Sequence, residues 1–455
     1  MKKDNGSKKR KSVIIIMILI VVFLLLIITA GIFLLKKRNM DRAGGNDTTS
    51  VSQKTDQKTD SKTDKKKDSD SIKGVEIEKN GSLSGVADEN TVMIYMVASN
   101  LESEMGAASM DISEMIKSGV DVSKTNVVIF TGGASQWKSD VPSDKNYVFR
   151  LDGKGGLYTD GSTSDLENMG EAETLLGFLD FCGENYKADN YTLIFWDHGA
   201  GPVYGYGLDE VYQNDIMTYT EMSSAMAASP FSSKNKLDLV GFDACLMASI
   251  EYANLFSSYA DYMVASQEVE PGLGWDYSFL DEYNSTSKPT KIADRILDGF
   301  SSFYDAHASM MSNPMYTLSC MDLSKTKGVT SAVDDLFGDM YKGLGNGDYS
   351  EIVKARDRAL NLGATAYGSK GDAIDQIDVG SMAEEFNGLY SGTSGSVDKA
   401  IEDFIVKQAS NVDGTSGISI YFPYSNQLFY QYYGDDMVEE ISVSENYTTF
   451  VGAFA

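Results

Sequence analysis

The chain has 455 residues, of which 42% are hydrophobic, and its formal net charge at pH 7 is −27. Its three cysteines are too few for a disulfide-built scaffold, and its two histidines are too few for a His-rich metal site. Residues 1–38 carry a net charge of +8 and residues 39–84 are neutral, so the rest of the chain carries −35, which disfavours a nucleic acid partner.

The N-terminal region predicts a membrane anchor. Residues 1–12 form a basic tail, and residues 13–35 run for 23 positions without a charge, which is long enough to cross a bilayer as one helix. Six basic residues before this segment and three after it favour a cytoplasmic N-terminus. A cleaved signal peptide is the alternative, but its apolar core is normally about 7–15 residues long. We therefore expect a single-pass protein of the cell membrane with an extracellular body.

Residues 36–90 predict a disordered stalk between this anchor and the folded body. The segment is polar and poor in aromatic residues, and it repeats a Lys-Thr-Asp triplet from residue 54 to residue 64. Such a composition offers too little apolar surface to offset the entropy lost on ordering the chain.

From residue 91 the sequence predicts alternating strands and helices. This order is typical of an α/β fold with a mostly parallel sheet covered by helices on both faces. Continuous apolar runs predict strands at 91–98, 127–130, 147–151, 191–196, 237–242 and 262–266. Apolar residues at helical spacing predict helices at 101–117, 171–186, 220–228 and 246–256.

The remaining chain is predicted to be mainly helical, with a strand that returns to the fold. We place the boundary between an α/β core, 91–325, and this C-terminal region, 326–455, near residue 325. Two strands are expected, at 315–321 and 418–422. Helices are expected at 292–311, 329–341, 350–362 and 397–408.

Two consecutive strands of the α/β region each end on a reactive side chain. His198 and Gly199 follow the strand 191–196, and Asp243 and Cys245 follow the strand 237–242. Ligands and chemistry collect at the carboxyl ends of parallel strands. A thiol needs a nearby base or acid to act in acyl transfer. The pattern therefore predicts a Cys–His site at one edge of the sheet.

At these residues the sequence resembles the clostripain-like cysteine peptidases, which share a caspase-like fold with gingipains and legumain. The resemblance rests on the apolar block before His198-Gly199, the block before Asp243-Ala-Cys245, and the stretch 265–275. It covers roughly residues 91–322, with a weaker echo at 417–423. It implies a caspase-like sheet and a cysteine endopeptidase, which the predicted N-terminal anchor would hold at the outer face of the membrane.

The resemblance also implies a role for each of these residues. Cys245 is the nucleophile and His198 protonates the departing amine, and the backbone N–H groups of Gly199 and Cys245 form the oxyanion hole. Asp243 binds the basic side chain before the cleaved bond, so the expected partner is a peptide or protein substrate with Arg or Lys there, and Arg is favoured because it pairs with a carboxylate through two hydrogen bonds. Further pocket residues are expected among Ser266, Gln267, Glu268 and Trp275.

Several alternatives stay open at this point. A helix beginning at Leu246 is predicted to place its positive end beside the Cys245 sulfur, which would favour the thiolate. The alternative to an enzyme is a catalytically silent binding module with the same fold. A transpeptidase uses the same thioester intermediate with an amine as acceptor. The chemistry needs no cofactor, although relatives can depend on calcium, for which no ligands can be named. Relatives often mature by cleavage between the two strands, but no Lys or Arg lies between His198 and Lys234.

Overall fold

The computed structural model describes residues 72–311, 314–363, 374–424 and 438–454. The predicted basic tail, anchor and most of the stalk lie outside these ranges. The described end of the predicted stalk, 36–90, is ordered, since Ile77–Lys79 is a strand that pairs with residues 161–163. Within the described residues, no helix is long and apolar enough to cross a membrane. Residues 73–455 cluster as one compact unit.

The strands follow the predicted order and add several short pairs. They are β1 Ile77–Lys79, β2 Asn90–Met96, β3 Thr125–Thr131, β4 Tyr147–Leu151, β5 Leu157–Thr163, β6 Asn190–Trp196, β7 Tyr206–Asp209, β8 Asp215–Met217, β9 Leu237–Asp243, β10 Ala260–Ala265, β11 Thr317–Asp322, β12 Asn361–Leu362, β13 Gln376–Asp378, β14 Ile405–Ser410 and β15 Ser419–Tyr421.

The helices are distributed along the whole described chain. They are α1 Ser99–Ser103, α2 Ala107–Lys117, α3 Ala172–Asn185, α4 Gly201–Tyr204, α5 Tyr219–Ala228, α6 Ile250–Phe256, α7 Pro289–His307, α8 Thr326–Asn346, α9 Tyr349–Arg358, α10 Val379–Phe404 and α11 Glu445–Phe454, with 3₁₀ turns at Tyr277–Asn284 and Leu323–Lys325.

The largest sheet of the described chain has ten strands in the order β1-β5-β4-β3-β2-β6-β9-β10-β11-β14. Its five central strands, β3, β2, β6, β9 and β10, run parallel. The outer strands pair antiparallel on both sides. Every residue of β2 and β3 is buried, which explains why these strands are continuous apolar runs rather than alternating ones.

Helices cover both faces of this sheet. On one face Ile94 belongs to a core shared with Ile112 of α2 and Phe300 of α7. On the other face the ring of Tyr95 lies 6.1 Å from that of Phe178 in α3. Adjacent residues of β2 thus point into opposite cores, which confirms the predicted α/β layering. The two other cysteines, Cys182 and Cys320, are buried in these cores, as expected for small packing residues.

The C-terminal residues are not separate from this sheet. Strand β14 pairs with β11 at the sheet edge, and β15 lies in a small three-stranded sheet, β12-β13-β15, which contacts the main body through a parallel bridge between Ser249 and Ser419. The predicted helix 397–408 is wrong beyond Phe404, because residues 405–410 are recruited as the edge strand. A predicted strand at 315–321 is confirmed as β11.

Two predicted helices differ in ways that matter for the site. The predicted helix 101–117 is interrupted at Gly106, whose φ of +73° is left-handed, so α1 and α2 form separately. The predicted helix 246–256 begins only at Ile250, because Leu246 has a φ of +67°. Residues before Ser249 instead continue pairing with the chain after β10, through Leu246 N–H to the Glu268 carbonyl at 3.1 Å.

Candidate active site

Strands β6 and β9 deliver His198 and Cys245 to the same edge of the sheet. The two strands are parallel neighbours, with Trp196 in register with Asp243. His198 and Cys245 each lie two residues beyond this pair. Both are partly exposed, whereas the strand residues that precede them are buried. The structure therefore brings together the two residues that the sequence singled out.

Gly199 allows the two strand ends to approach closely. A Cβ atom at this position would lie 2.2 Å from the carbonyl oxygen of Cys245, nearer than any side chain tolerates. Glycine is therefore required here by the contact itself, whatever else its N–H group does.

The thiol of Cys245 is not beside a helix terminus, which corrects the sequence prediction. Helix α6 starts five residues later, and Ser249 caps it by accepting a hydrogen bond from the Tyr252 N–H at 3.3 Å. The sulfur instead accepts the backbone N–H of Glu270 at 3.2 Å. Burial raises the pKa of the Cys245 thiol to about 12, with the charge of the Glu270 carboxylate as the next cause.

The imidazole of His198 contacts a residue that the sequence analysis did not identify. Its Nε2 lies 2.9 Å from the side-chain oxygen of Asn100, which follows β2. Burial lowers the pKa of His198 to about 4. At neutral pH the ring is therefore uncharged and the thiol is protonated when the site holds no substrate.

Two carboxyl groups are buried next to the cysteine. Asp243 accepts hydrogen bonds from the Trp275 N–H at 3.2 Å and from the Tyr277 hydroxyl at 3.0 Å. Glu270 is only 8% exposed, yet neither of its carboxylate oxygens meets a hydrogen-bond donor in good geometry. Burial raises the pKa of both carboxyl groups, and for Glu270 the charge of Asp243 adds to this effect. A third buried carboxyl, Asp111, is bound by the Trp196 indole N–H at 2.7 Å.

Sequence analysis missed Glu270, although the residue stands within the stretch 265–275 that carried the family resemblance. The sequence indication for Glu270 is the Pro-Gly pair that follows it, because a turn there places Glu270 near the end of the sheet. Its burial beside Asp243 could not be read from the sequence, because 27 positions separate the two residues.

The other predicted pocket residues use their polar atoms to hold the fold. Ser266 bonds the Thr317 hydroxyl at 2.8 Å. Gln267 donates to Asp378 at 2.7 Å, and the Glu268 carboxylate accepts the Gly363 N–H at 2.9 Å. These contacts indicate that the three residues tie the strand end to the C-terminal chain.

Trp275 contributes to the site through its backbone and through its indole, which partly offsets the rise that burial causes in the pKa of Glu270. Its backbone N–H group binds Asp243, while its ring packs beneath Gly241 of β9, where an added Cβ would lie 2.9 Å from the ring. His307 lies at the end of α7, with Nδ1 2.7 Å from the Phe303 carbonyl oxygen, as expected for a structural histidine.

The described residues offer no obvious calcium site. No group of three or more His, Cys, Asp or Glu side chains in the described ranges is arranged to hold a metal ion.

The lysines between His198 and Cys245 lie just before the amino-terminal end of β9, whereas the candidate site lies at its carboxyl end. Lys234 stands in the turn closed by Ser232 and Asn235, and Lys236 donates to the Ser257 carbonyl at 2.9 Å. Strand β9 runs from there to Cys245, a span of about 20 Å for seven residues. Neither lysine can therefore reach the thiol of its own chain without unfolding β9.

The sequence was compared with known families and proteins. A model of the Clostripain family matches residues 94–449. The chain belongs to the Clostripain family. Clostripain from Hathewaya histolytica is 26% identical over 411 residues, which cover 75% of this chain and 76% of that protein. Membership of this family makes the chain a cysteine endopeptidase.

Solved structures agree with this family fold. A secreted C11 cysteine protease from Bacteroides thetaiotaomicron, in complex with an irreversible peptide inhibitor, is 18% identical, with a TM-score of 0.58 over 78% of this chain and 100% of that one. An inactive zymogen C11 protease from Parabacteroides distasonis is 19% identical, with a TM-score of 0.59 over 79% and 99% of the two chains. At these identities the likeness establishes the fold.

Proposed function

We propose that this peptidase hydrolyses the bond after Arg or Lys, with Cys245 as the nucleophile and His198 as the acid and base. One observation carries the proposal. The adjacent parallel strands β6 and β9 end on an imidazole and a thiol in the same register, with two buried carboxyl groups beside the thiol. A pair of buried carboxyl groups next to a nucleophile fits a cationic side chain of the substrate.

The reaction proceeds by acyl transfer. The Cys245 proton passes to His198 as the sulfur attacks the scissile carbonyl carbon, and the oxyanion is bound by the backbone N–H groups of Gly199 and Cys245. The C–N bond then breaks as His198 returns the proton to the departing amine. Water, activated by His198, hydrolyses the thioester and regenerates the thiol.

Asp243 and Glu270 together form the binding site for the substrate cation. Asp243 accepts hydrogen bonds from two protein donors, whereas Glu270 has only the Trp275 indole N–H and the Asp243 carboxyl beside it, neither in good hydrogen-bond geometry. A buried polar group without a partner is strongly unfavourable, so the pocket is matched to a ligand that supplies donors. A guanidinium offers a planar array of five N–H groups, so Arg is favoured over Lys.

The same cation activates the nucleophile. After burial, the charge of Glu270 is the main factor that raises the pKa of Cys245, and Asp243 contributes as well. A bound guanidinium offsets one of the two negative charges and so weakens this repulsion of the thiolate. Substrates without a basic side chain leave the repulsion of the thiolate in place. We therefore expect the preference for Arg in kcat as well as in KM.

The test is cleavage of fluorogenic peptides that end in Arg, Lys or Gln by the full-length chain. We expect the order Arg, Lys, Gln in kcat/KM and complete loss of activity in Cys245→Ala. The buried residues Cys182 and Cys320 provide matched controls, since Cys320→Ala should keep wild-type kcat. Cleavage that survives Cys245→Ala, or equal cleavage after Gln and Arg, would contradict the proposal.

We also propose that residues 13–35 anchor the enzyme in the cell membrane with its body outside. The uncharged run of 23 residues between basic flanks supports this. Cells that express the chain should retain it in the membrane fraction after alkaline extraction, and deletion of 13–35 should release it. Protease added to intact cells should degrade the body; protection of the body would contradict the orientation.

A further inference from the structure

The backbone that follows β2 is strained at two consecutive residues. Ala98 has a φ of +66° and Ser99 a φ of +45°, in the left-handed region that residues other than glycine rarely adopt. Such conformations typically cost about 1–3 kcal/mol each and persist where surrounding contacts enforce them. The strain turns the chain sharply, so that Asn100 lies at the edge of the sheet beside β6.

Two successive side-chain contacts hold this turn against the end of β6. The Ser99 hydroxyl donates to Asp197 at 2.6 Å, and the next residue, Asn100, contacts His198 at 2.9 Å. Asp197 is itself fixed, since its second oxygen accepts the Leu208 N–H at 2.7 Å. His198 is thus held in two ways: by the contacts of its neighbour Asp197 and by the contact of its own ring with Asn100.

The chemistry of the amide oxygen decides which ring nitrogen carries the hydrogen. The side-chain oxygen of Asn100 can only accept a hydrogen bond, and it faces Nε2 of His198 at 2.9 Å. Nε2 of His198 must therefore be the donor. Nδ1 is then the nitrogen whose lone pair can receive a proton.

Capping of helix α1 does not account for Asn100. Among the contacts of the described chain, His198 is the donor to its oxygen, because the single Ser99 O–H bonds to Asp197, and no backbone N–H of α1 bonds to it. The Leu101 N–H bonds instead to the Ser99 hydroxyl, at 3.3 Å. Asn100 is 5% exposed, so water does not readily replace the contact.

We propose that Asn100 is a positioning residue of the catalytic pair: its amide oxygen holds the His198 ring by Nε2–H and leaves Nδ1 to exchange the proton with Cys245. This rests on the proposed roles of His198 and Cys245. When Nδ1 takes the thiol proton, the ring becomes an imidazolium with two N–H groups. Asn100 accepts one of them throughout, so the ring does not rotate while the other serves the leaving amine.

The first test is spectroscopic and needs no substrate. The chain has two histidines, so the full-length protein labelled with ¹⁵N-histidine contains only two imidazole rings. We expect a ring N–H proton signal from His198 that exchanges slowly with water, assigned by its persistence in His307→Gln. The signal should vanish in Asn100→Leu and persist in Asn190→Leu. Its persistence in Asn100→Leu would overturn the proposal.

Asn190 is the control because its side-chain amide makes a hydrogen bond of the same length at the far end of β6, the strand that leads to His198. Its side-chain amide donates to the Glu89 carbonyl at 2.9 Å, about 20 Å from His198 along the seven residues of β6. Asn190→Leu should lower stability without altering kcat. An equal loss of kcat in the two Leu variants would show that Asn100 is merely structural.

The second test separates positioning from binding. Asn100→Leu should lower kcat by about 10–100-fold with KM unchanged within twofold, because the substrate pocket is untouched. Asn100→Asp, which keeps an acceptor, should recover most of this loss. Alkylation of Cys245 by iodoacetamide should slow in parallel. A wild-type kcat in Asn100→Leu, or no recovery in Asn100→Asp, would refute the assignment, whereas failure of the wild type to cleave Arg peptides would count only against the proposed specificity.

Discussion

Among the regions of this enzyme that bury carboxylates, two differ in how those carboxylates are paired. In the antiparallel edge of the sheet, Asp160 is 5% exposed and pairs with Arg150 at 2.6 Å, and the Tyr186 hydroxyl donates to the same oxygen at 2.8 Å. At the end of β9, Asp243 and Glu270 are equally buried but have no cationic partner in the described chain. The first carboxylate has its cationic partner within the fold, and we propose that a ligand supplies the cation for the second pair.

Location in the sheet explains this difference. Strands β4 and β5 are joined as a hairpin, so Arg150 and Asp160 are close along the chain and fix each other locally. Asp243 lies at the carboxyl end of a central parallel strand, where loops from separate parts of the chain meet and leave space. A buried carboxylate that is paired with a cation of its own chain, such as Asp160, stabilises the fold. A buried carboxylate without such a cation, such as Asp243, is a candidate ligand-binding group.

The largest effect is expected at Asp243. Asp243→Asn keeps the side-chain shape and an acceptor for the Trp275 N–H, but removes the charge that a guanidinium requires. We expect kcat/KM for an Arg peptide to fall by about 10³-fold, while iodoacetamide still labels Cys245. Unchanged cleavage after Arg would exclude this pocket. Asp160→Asn is the control and should leave kcat/KM unaltered.

Removing Arg150 from its ion pair with Asp160 should lower stability and leave catalysis unchanged. Arg150→Met leaves Asp160 buried with no cation, which typically costs about 3–5 kcal/mol. We expect the urea midpoint of unfolding to fall and kcat of the remaining folded enzyme to stay the same. A loss of kcat without a loss of stability would show that the two regions are coupled and that the contrast drawn between them is wrong.

Glu270→Gln should weaken catalysis and strengthen the fold. The pKa of Glu270 is raised from 4.5, so the folded state holds this proton more tightly than the unfolded state, and stability is lost as pH rises from about 4.5 through the raised value. Removing the carboxyl should therefore add about 1 kcal/mol to the free energy of unfolding at pH 8 and little at pH 4.

The same variant should lower kcat/KM for Arg by about tenfold, because one of two pocket charges remains. Urea unfolding at the two pH values, together with peptide kinetics, measures both effects. A variant that is less stable at pH 8 than the wild type would mean that Glu270 has a structural partner.

The regular elements were predicted well where local sequence dominates. Strands β2, β3, β6 and β9 were recognised because each is a continuous apolar run buried on both faces. Because these strands alternate with helices, the sequence predicted that the centre of the sheet is parallel. His198 and Cys245 followed from this, since parallel neighbours end at the same edge.

Contacts between distant residues decided the rest. Leu246 was assigned to a helix by its apolar spacing, but pairing with Glu268 holds it in a left-handed conformation. Residues 405–410 have a helical pattern, yet the open edge of β11 recruits them as a strand.

Sequence alone thus determined the two reactive residues, the acidic Asp243 and the order of the layers, because these depend on periodicity and on neighbours along the chain. Only the tertiary structure placed Glu270 beside Asp243 and Asn100 against His198. Their partners lie 27 and 98 positions away, and the strained turn at Ala98 and Ser99 that delivers Asn100 has no local sequence signal. Burial, which sets the pKa of each of these groups, is likewise a property of the assembled fold.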